Sequence, residues 1–193
     1  MLKVFAMEMK DAKLYGGIGA ILQLVGPFVP SIGFILALVG LVLVFLAVKT
    51  ISEKSGDEGI FNNYLKAFIA QILGIIIFVG IIVATIGTAI LKGGMGKLAN
   101  PMEFMSLIGT ILLGFIILWI FYTVAGYFKK KSYELIAQYT GTDMFKTAGL
   151  LFFIGAILII LGIGVLIILI AEILEIVAFF SLPETSESAP VSA

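Results

Sequence analysis

Charged residues in this chain fall in short islands separated by long apolar blocks. Ala67–Leu91, Phe104–Phe128 and Thr147–Ala171 are each 25 residues without a charge, more than the ~20 a helix needs to cross a bilayer. A fourth block, Leu14–Val48, runs for 35 residues. As one helix it would be roughly 50 Å long against a hydrocarbon layer about 30 Å thick. The segment Gly26-Pro27-Phe28-Val29-Pro30-Ser31 supplies a hinge, because proline lacks an amide donor and disfavours helix in the residue before it. This block therefore predicts a hairpin, with spans over about 12–28 and 31–50. The final block, Met144–Leu182, is also too long for one crossing and is interrupted at Gly162-Ile163-Gly164, which predicts spans over about 144–161 and 164–182. Adding spans over about 64–91 and 104–128 gives an all-α, polytopic transmembrane helical bundle of six spans, a single domain over 1–182. The Ser-rich remainder, 183–193, is expected to be a disordered tail.

The two end hairpins echo each other. Gly19-Ala20-Ile21-Leu22 followed by Gly26 matches Gly155-Ala156-Ile157-Leu158 followed by Gly162. Two polar islands match as well: Ser55-Gly56-Asp57-Glu58 before Phe61, and Thr140-Gly141-Thr142-Asp143 before Phe145. Each reads as a helix stop and restart, and the hairpins read as a pseudo-repeat. Ten of the twelve lysines lie on the side holding both termini and both islands, with Lys92 and Lys97 on the other. The positive-inside rule then makes both termini cytoplasmic, and the repeat a parallel one about an axis along the membrane normal. Beyond span 4 the helix is expected to continue through Lys129-Lys130-Lys131 to Tyr139, with Phe128, Leu135, Ile136 and Tyr139 at helical spacing along the lipid interface.

Composition narrows the possibilities by exclusion. The chain is 61% apolar and 12% charged, with no cysteine or histidine and with every cation a lysine. Charges balance, so nothing points to nucleic acid. Without cysteine there is no disulfide framework or thiolate, and without arginine no bidentate fork for phosphate. No cofactor is expected. Met1–Lys13 is mixed in charge, and the apolar stretch after it lacks a small-x-small cleavage site, so it reads as a retained first span. The partners expected are the lipid bilayer itself and a homo-oligomer or another membrane protein.

Gly16-Gly17-Ile18-Gly19 opening span 1, Ile60-Phe61-Asn62-Asn63 opening span 3, and Ala178-Phe179-Phe180-Ser181-Leu182-Pro183 closing span 6 together resemble the domain of unknown function 996 family, over about Lys13–Glu184. The resemblance implies a polytopic prokaryotic membrane protein, largely archaeal. It implies no activity that could be carried to a residue.

Candidate chemistry concentrates in span 6. Glu172 and Glu175 sit one turn apart, and by helical rise Glu172 lies about 15 Å from the cytoplasmic end, close to the midplane. The thirteen Leu, Ile, Val and Phe of Gly164–Leu182 contribute at most about 4–8 kcal/mol of insertion, while each central acid costs about 2.5–3.5 kcal/mol. The sums nearly cancel, so the acids must face the bundle, find partners or take a proton. Depth nominates Gln23 as level with Glu172 and Lys66 as level with Glu175. Three readings stay open: a proton- or cation-responsive path, a structural polar clasp, and a hairpin that sits shallower in the membrane than these spans place it. Lys129, Lys130 and Lys131 are candidates for anionic lipid headgroups and equally for a plain topology anchor.

Other features carry less. Small residues at Gly16 and Ala20, Gly33 and Ala37, and Gly80, Ala84 and Thr88 suit close helix packing. Gly93-Gly94-Met95-Gly96-Lys97 is too short for a phosphate loop and follows no strand. Asp57 and Glu58 read as a solvated helix start, not a cation site. Trp119, Tyr122 and Tyr127 read as interfacial anchors. Asp11, Asp57 and Asp143 all lie at water interfaces, so no intramembrane protease constellation is present and no enzyme is expected. The sequence thus points to a structural or partner-binding membrane component, with a small proton- or cation-linked transporter or channel as the alternative.

Overall fold

The computed structural model describes residues 8–91 and 100–184. Every regular element among them is helical: α1 Met9–Val25, α2 Gly33–Ser55, α3 Glu58–Leu91, α4 Pro101–Thr140, α5 Met144–Leu158 and α6 Ile163–Phe180. Short 3-10 turns, Gly26–Phe28 and Ile159–Leu161, close the two end hairpins. Five helices, α2, α3, α4, α6 and α5 with its closing turn, are long and apolar enough to cross a membrane, while α1 has 17 residues. The expected tail and the Gly93–Lys97 turn fall largely or wholly on 185–193 and 92–99, outside the described residues.

Local chemistry sets the boundaries. Glu8 and Asp11 form a reciprocal capping box at the start of α1, with the Glu8 amide donating to Asp11 Oδ2 at 2.7 Å. Asn100 caps α4 by accepting from the Met102 amide at 3.0 Å, with Pro101 in the first turn, where its missing donor costs nothing. The two polar islands end their helices alike. Gly56 (φ 72°) and Gly141 (φ 69°) adopt the left-handed conformation and donate back to the carbonyls of Ser52 and Ala137.

The helices close a ring. Each packs on its neighbours in sequence, and α1 packs on α6. The described ends of the chain meet there, with Lys13 Nζ 3.3 Å from Glu184 Oε1. The core lies at this end of the bundle and draws on all six helices, through Met9, Ala20, Val44, Val48, Ile51, Ile60, Tyr64, Tyr133, Ile136, Phe145, Phe179 and Leu182. Phe145 and Phe179 meet edge to face at 4.9 Å, and Tyr133 meets Phe145 at 5.3 Å.

Two expectations need correcting. The helix does run from span 4 to Thr140, but the segment after Lys131 is no interfacial strip: Ser132, Tyr133, Ile136 and Ala137 are buried, and Ser132 Oγ donates to the Ile60 carbonyl at 2.8 Å. The matched glycines of the hairpins are also not equivalent in space. Gly19 packs on Gly40 well below its turn, whereas Gly155 packs on Gly164 next to its own turn. The spatial counterpart of Gly155–Gly164 is Gly26–Gly33. Close glycine approach is common to both hairpins, but the sequence register that suggested it is not.

Candidate functional site

Where all six helices converge, the ring encloses a polar cavity of about 40 Å³, with room for about three waters. Gln23 from α1, Gln71 and Tyr64 from α3, Tyr122 and Lys129 from α4, and Glu172 from α6 line it. The amide nitrogen Nε2 of Gln23 is buried there without a hydrogen-bond partner. An unpaired buried donor is costly, so it marks the cavity as a place for an acceptor.

One turn further along α6, Glu175 closes the floor. It is 2% exposed, and its carboxylate accepts from Lys129 Nζ at 2.8 Å and from the Tyr133 hydroxyl. Lys129 Nζ also lies 3.6 Å over the Phe152 ring centroid, a cation–π contact that strengthens where water is excluded. Tyr133 stacks on Tyr64 with centroids 6.2 Å apart. Four helices, α3 to α6, therefore meet at a single ion pair. Chemically this is a clasp: both charges are desolvated, each is satisfied only by the other and by neighbouring donors and rings, and neither contributes without its partner.

The family described as protein of unknown function DUF996 matches residues 36–173. The chain belongs to this family. An uncharacterised protein of Methanocaldococcus jannaschii is 40% identical over 182 residues, covering 94% of this chain and 97% of that protein. No solved structure matches.

In this DUF996 protein the structure redistributes the expected partners. Gln23 and Glu172 do line one cavity. Lys66 does not reach Glu175. On α3 the inward stripe is Ile60, Tyr64 and Ala67, which turns Lys66 outward onto the Phe128 ring at 5.5 Å. Lys129 takes the place beside Glu175 instead, so it is no headgroup ligand. Lys130 pairs with Glu134 at 3.1 Å and Lys131 lies exposed over Tyr127. Trp119 is not an interfacial anchor either. Its indole N–H donates to the carbonyls of Ala156 and Ile157, each at 3.1 Å, and ties α4 to the end of α5. Tyr122 lines the cavity. Gly16 lies directly against the Phe179 ring, whereas Gly80 has open space around it. The residues missed at sequence level are Tyr133, Gln71 and Lys129 in its inward role. Ser132-Tyr133 followed by Ile136-Ala137 in an otherwise polar segment was the available signal.

Proposed function

We propose that this protein is a non-enzymatic structural or partner-binding component of a prokaryotic cell membrane, with both termini cytoplasmic, and that the Glu175 clasp serves to hold its helix ring closed. The observation that carries this reading is the burial of Glu175 between Lys129 and Tyr133 in the floor of the packed core. A carboxylate that must exchange ions needs water on one side at some stage; this one has aromatic rings and a fixed ammonium around it. The side of the termini also carries ten of the twelve lysines, which supports its cytoplasmic placement.

The test is flux in proteoliposomes. Purified protein should conduct neither protons nor monovalent cations above the level of empty liposomes. A second reading draws support from Glu172 facing a cavity that also holds the unpartnered Gln23 amide: a proton- or cation-responsive group in a small transporter or channel. Flux that disappears in a folded Glu172→Gln variant would establish that reading in place of the first.

A further inference from the structure

We infer that only α3 and α4 cross the bilayer, and that the two end hairpins enter it from the side of the termini and turn back at the midplane, in contact with the acyl chains of one leaflet. Along α5, Gly149 lies against Lys130, and Ala156 with Ile157 lies at Trp119 of α4. The turn Ile159–Leu161 therefore sits near the level of Trp119. Trp119 is ten residues past Lys129, about 15 Å, and sixteen residues short of Glu103, about 24 Å. The N-terminal hairpin gives the same answer independently. Phe45 packs among Phe61, Tyr64 and Phe68. The first residue of α2, Gly33, lies twelve residues further on, which places it near Ile76, again ten residues or about 15 Å past Lys66. Ile76 and Trp119 are at one height, because Gly74 of α3 lies against Phe121 of α4.

Both turns thus stop about two-fifths of the way along the uncharged stretches of α3 and α4, counted from Ala67 and Phe128. Past them, among the described residues, those two helices have only each other: no residue of α3 beyond Gly74 is buried, and in α4 before Ala125 only Gly114 is. A slab of hydrocarbon about 30 Å thick spans about twenty residues of helix. If its far face lay at the turns, it would enclose Lys129, Lys130, Lys131 and Glu134 on α4, and Glu58, Asn62, Asn63 and Lys66 on α3. If it instead begins just past Lys66 and Lys129, it encloses no charge on α3 or α4 up to about Ile86 and Gly109, and its midplane falls at the turns.

The chemistry of the turns suits lipid. Phe28 is 71% exposed and Leu161 72%, with Ile32, Phe34, Ile163 and Leu166 also projecting. Part of their backbone is satisfied internally: Pro27 and Pro30 have no amide to donate, the Val29, Ile32 and Gly33 amides donate to Gly26, Pro30 and Val29, and the Gly162 and Val165 amides donate to Ile159 and Gly162. Backbone polar groups satisfied within the segment are what a bilayer interior requires. The resulting body is a wedge, six helices wide in one leaflet and two in the other.

The chain has no cysteine, so single variants report position directly. Phe28→Cys and Leu161→Cys mark the turns, Met95→Cys the connection between α3 and α4, and Ser55→Cys the side of the termini. In sealed vesicles of both orientations, an impermeant maleimide should label the Met95→Cys variant from one face and the Ser55→Cys variant from the other. Labelling of the Phe28→Cys and Leu161→Cys variants should be lost from both faces and recovered in detergent. Labelling of either turn from the Met95 face would overturn the inference in favour of full crossing; labelling from the Ser55 face would place the turns outside lipid. As a second readout, a bimane at Phe28→Cys should be quenched most by lipids carrying a nitroxide deep in the acyl chain. Strongest quenching by a headgroup nitroxide would refute midplane placement.

Discussion

Removing either half of the Glu175–Lys129 pair is expected to be unequal in cost, and the structure says in which direction. Lys129→Met leaves Glu175, 2% exposed, with the Tyr133 hydroxyl as its remaining donor. Breaking a buried pair from that side costs about 3–5 kcal/mol. Glu175→Leu leaves Lys129, whose side chain is 14% exposed and whose Nζ rests on the Phe152 ring. That cation keeps a ring contact worth about 1–2 kcal/mol and a stem long enough to snorkel, so the expected cost falls to about 2–3 kcal/mol. The double variant Lys129→Met with Glu175→Leu removes both charges at similar volume and leaves only the Tyr133 hydroxyl unpaired, about 1–2 kcal/mol. The coupling energy should therefore be at least about 3 kcal/mol. Reversible unfolding in mixed micelles, followed by circular dichroism across denaturing detergent, yields the double-mutant cycle. If the two single costs add to within about 0.5 kcal/mol, the limit for independent sites, the pair is no clasp and the reading of the core is wrong.

The same titration tests further contacts. Gly16→Ala drives a methyl into the buried Phe179 ring and should cost about 1–3 kcal/mol, as overpacking does, whereas Gly80→Ala meets nothing and should be neutral or slightly stabilising through helix propensity; equal effects would refute the packing of α1 on α6. Trp119→Phe removes the indole donor from the Ala156 and Ile157 carbonyls and should cost at least about 1 kcal/mol; an unchanged midpoint would mean that α4 is not tied to the α5 turn. Gly141→Ala, at a left-handed cap, should cost about 1–2 kcal/mol, with the loss absent if α4 ends by another route.

Helix existence was legible in the residues, and helix rotation was not. Charge-free blocks, Pro27 and Pro30, and the Gly56 and Gly141 stops define the six helices and their turns to within a few residues. Facing could not be read in the same way, because a helix surrounded by lipid is apolar on every side and offers no period. That is why height alone nominates Lys66 for Glu175, whereas the rotation of α3 turns Lys66 outward and the rotation of α4 brings Lys129 to the carboxylate. The membrane level itself was hidden for a related reason. A block of 35 uncharged residues can be folded into two crossings or into one hairpin that stays in a single leaflet, and only the heights of Lys129, Trp119 and Gly74 against their neighbours distinguish these.

The insertion arithmetic for the last helix changes meaning in that light. Treated as a full crossing, Gly164–Leu182 barely gains from entering lipid, since two acids near the centre cancel thirteen large apolar residues. With its turn at the midplane, only the part from Ile163 to about Glu172 is immersed, and Glu175 lies level with Lys129 at the membrane surface. The near-zero sum is then the consequence of assigning the helix to the wrong depth. A carboxylate at that level needs an adjacent ammonium, which Lys129 provides, and it needs no route across the hydrocarbon. Transport through Glu172 would require a continuation of the polar cavity past the turns, yet among the described residues only two helices remain beyond Gly74 and Trp119, and no residue between Leu91 and Ile76 or between Pro101 and Leu113 is buried. Two helices in lipid enclose no polar channel by themselves. The placement of the hairpins therefore stands on the common height of the two turns, and it adds to the burial of Glu175 a second ground for a structural clasp.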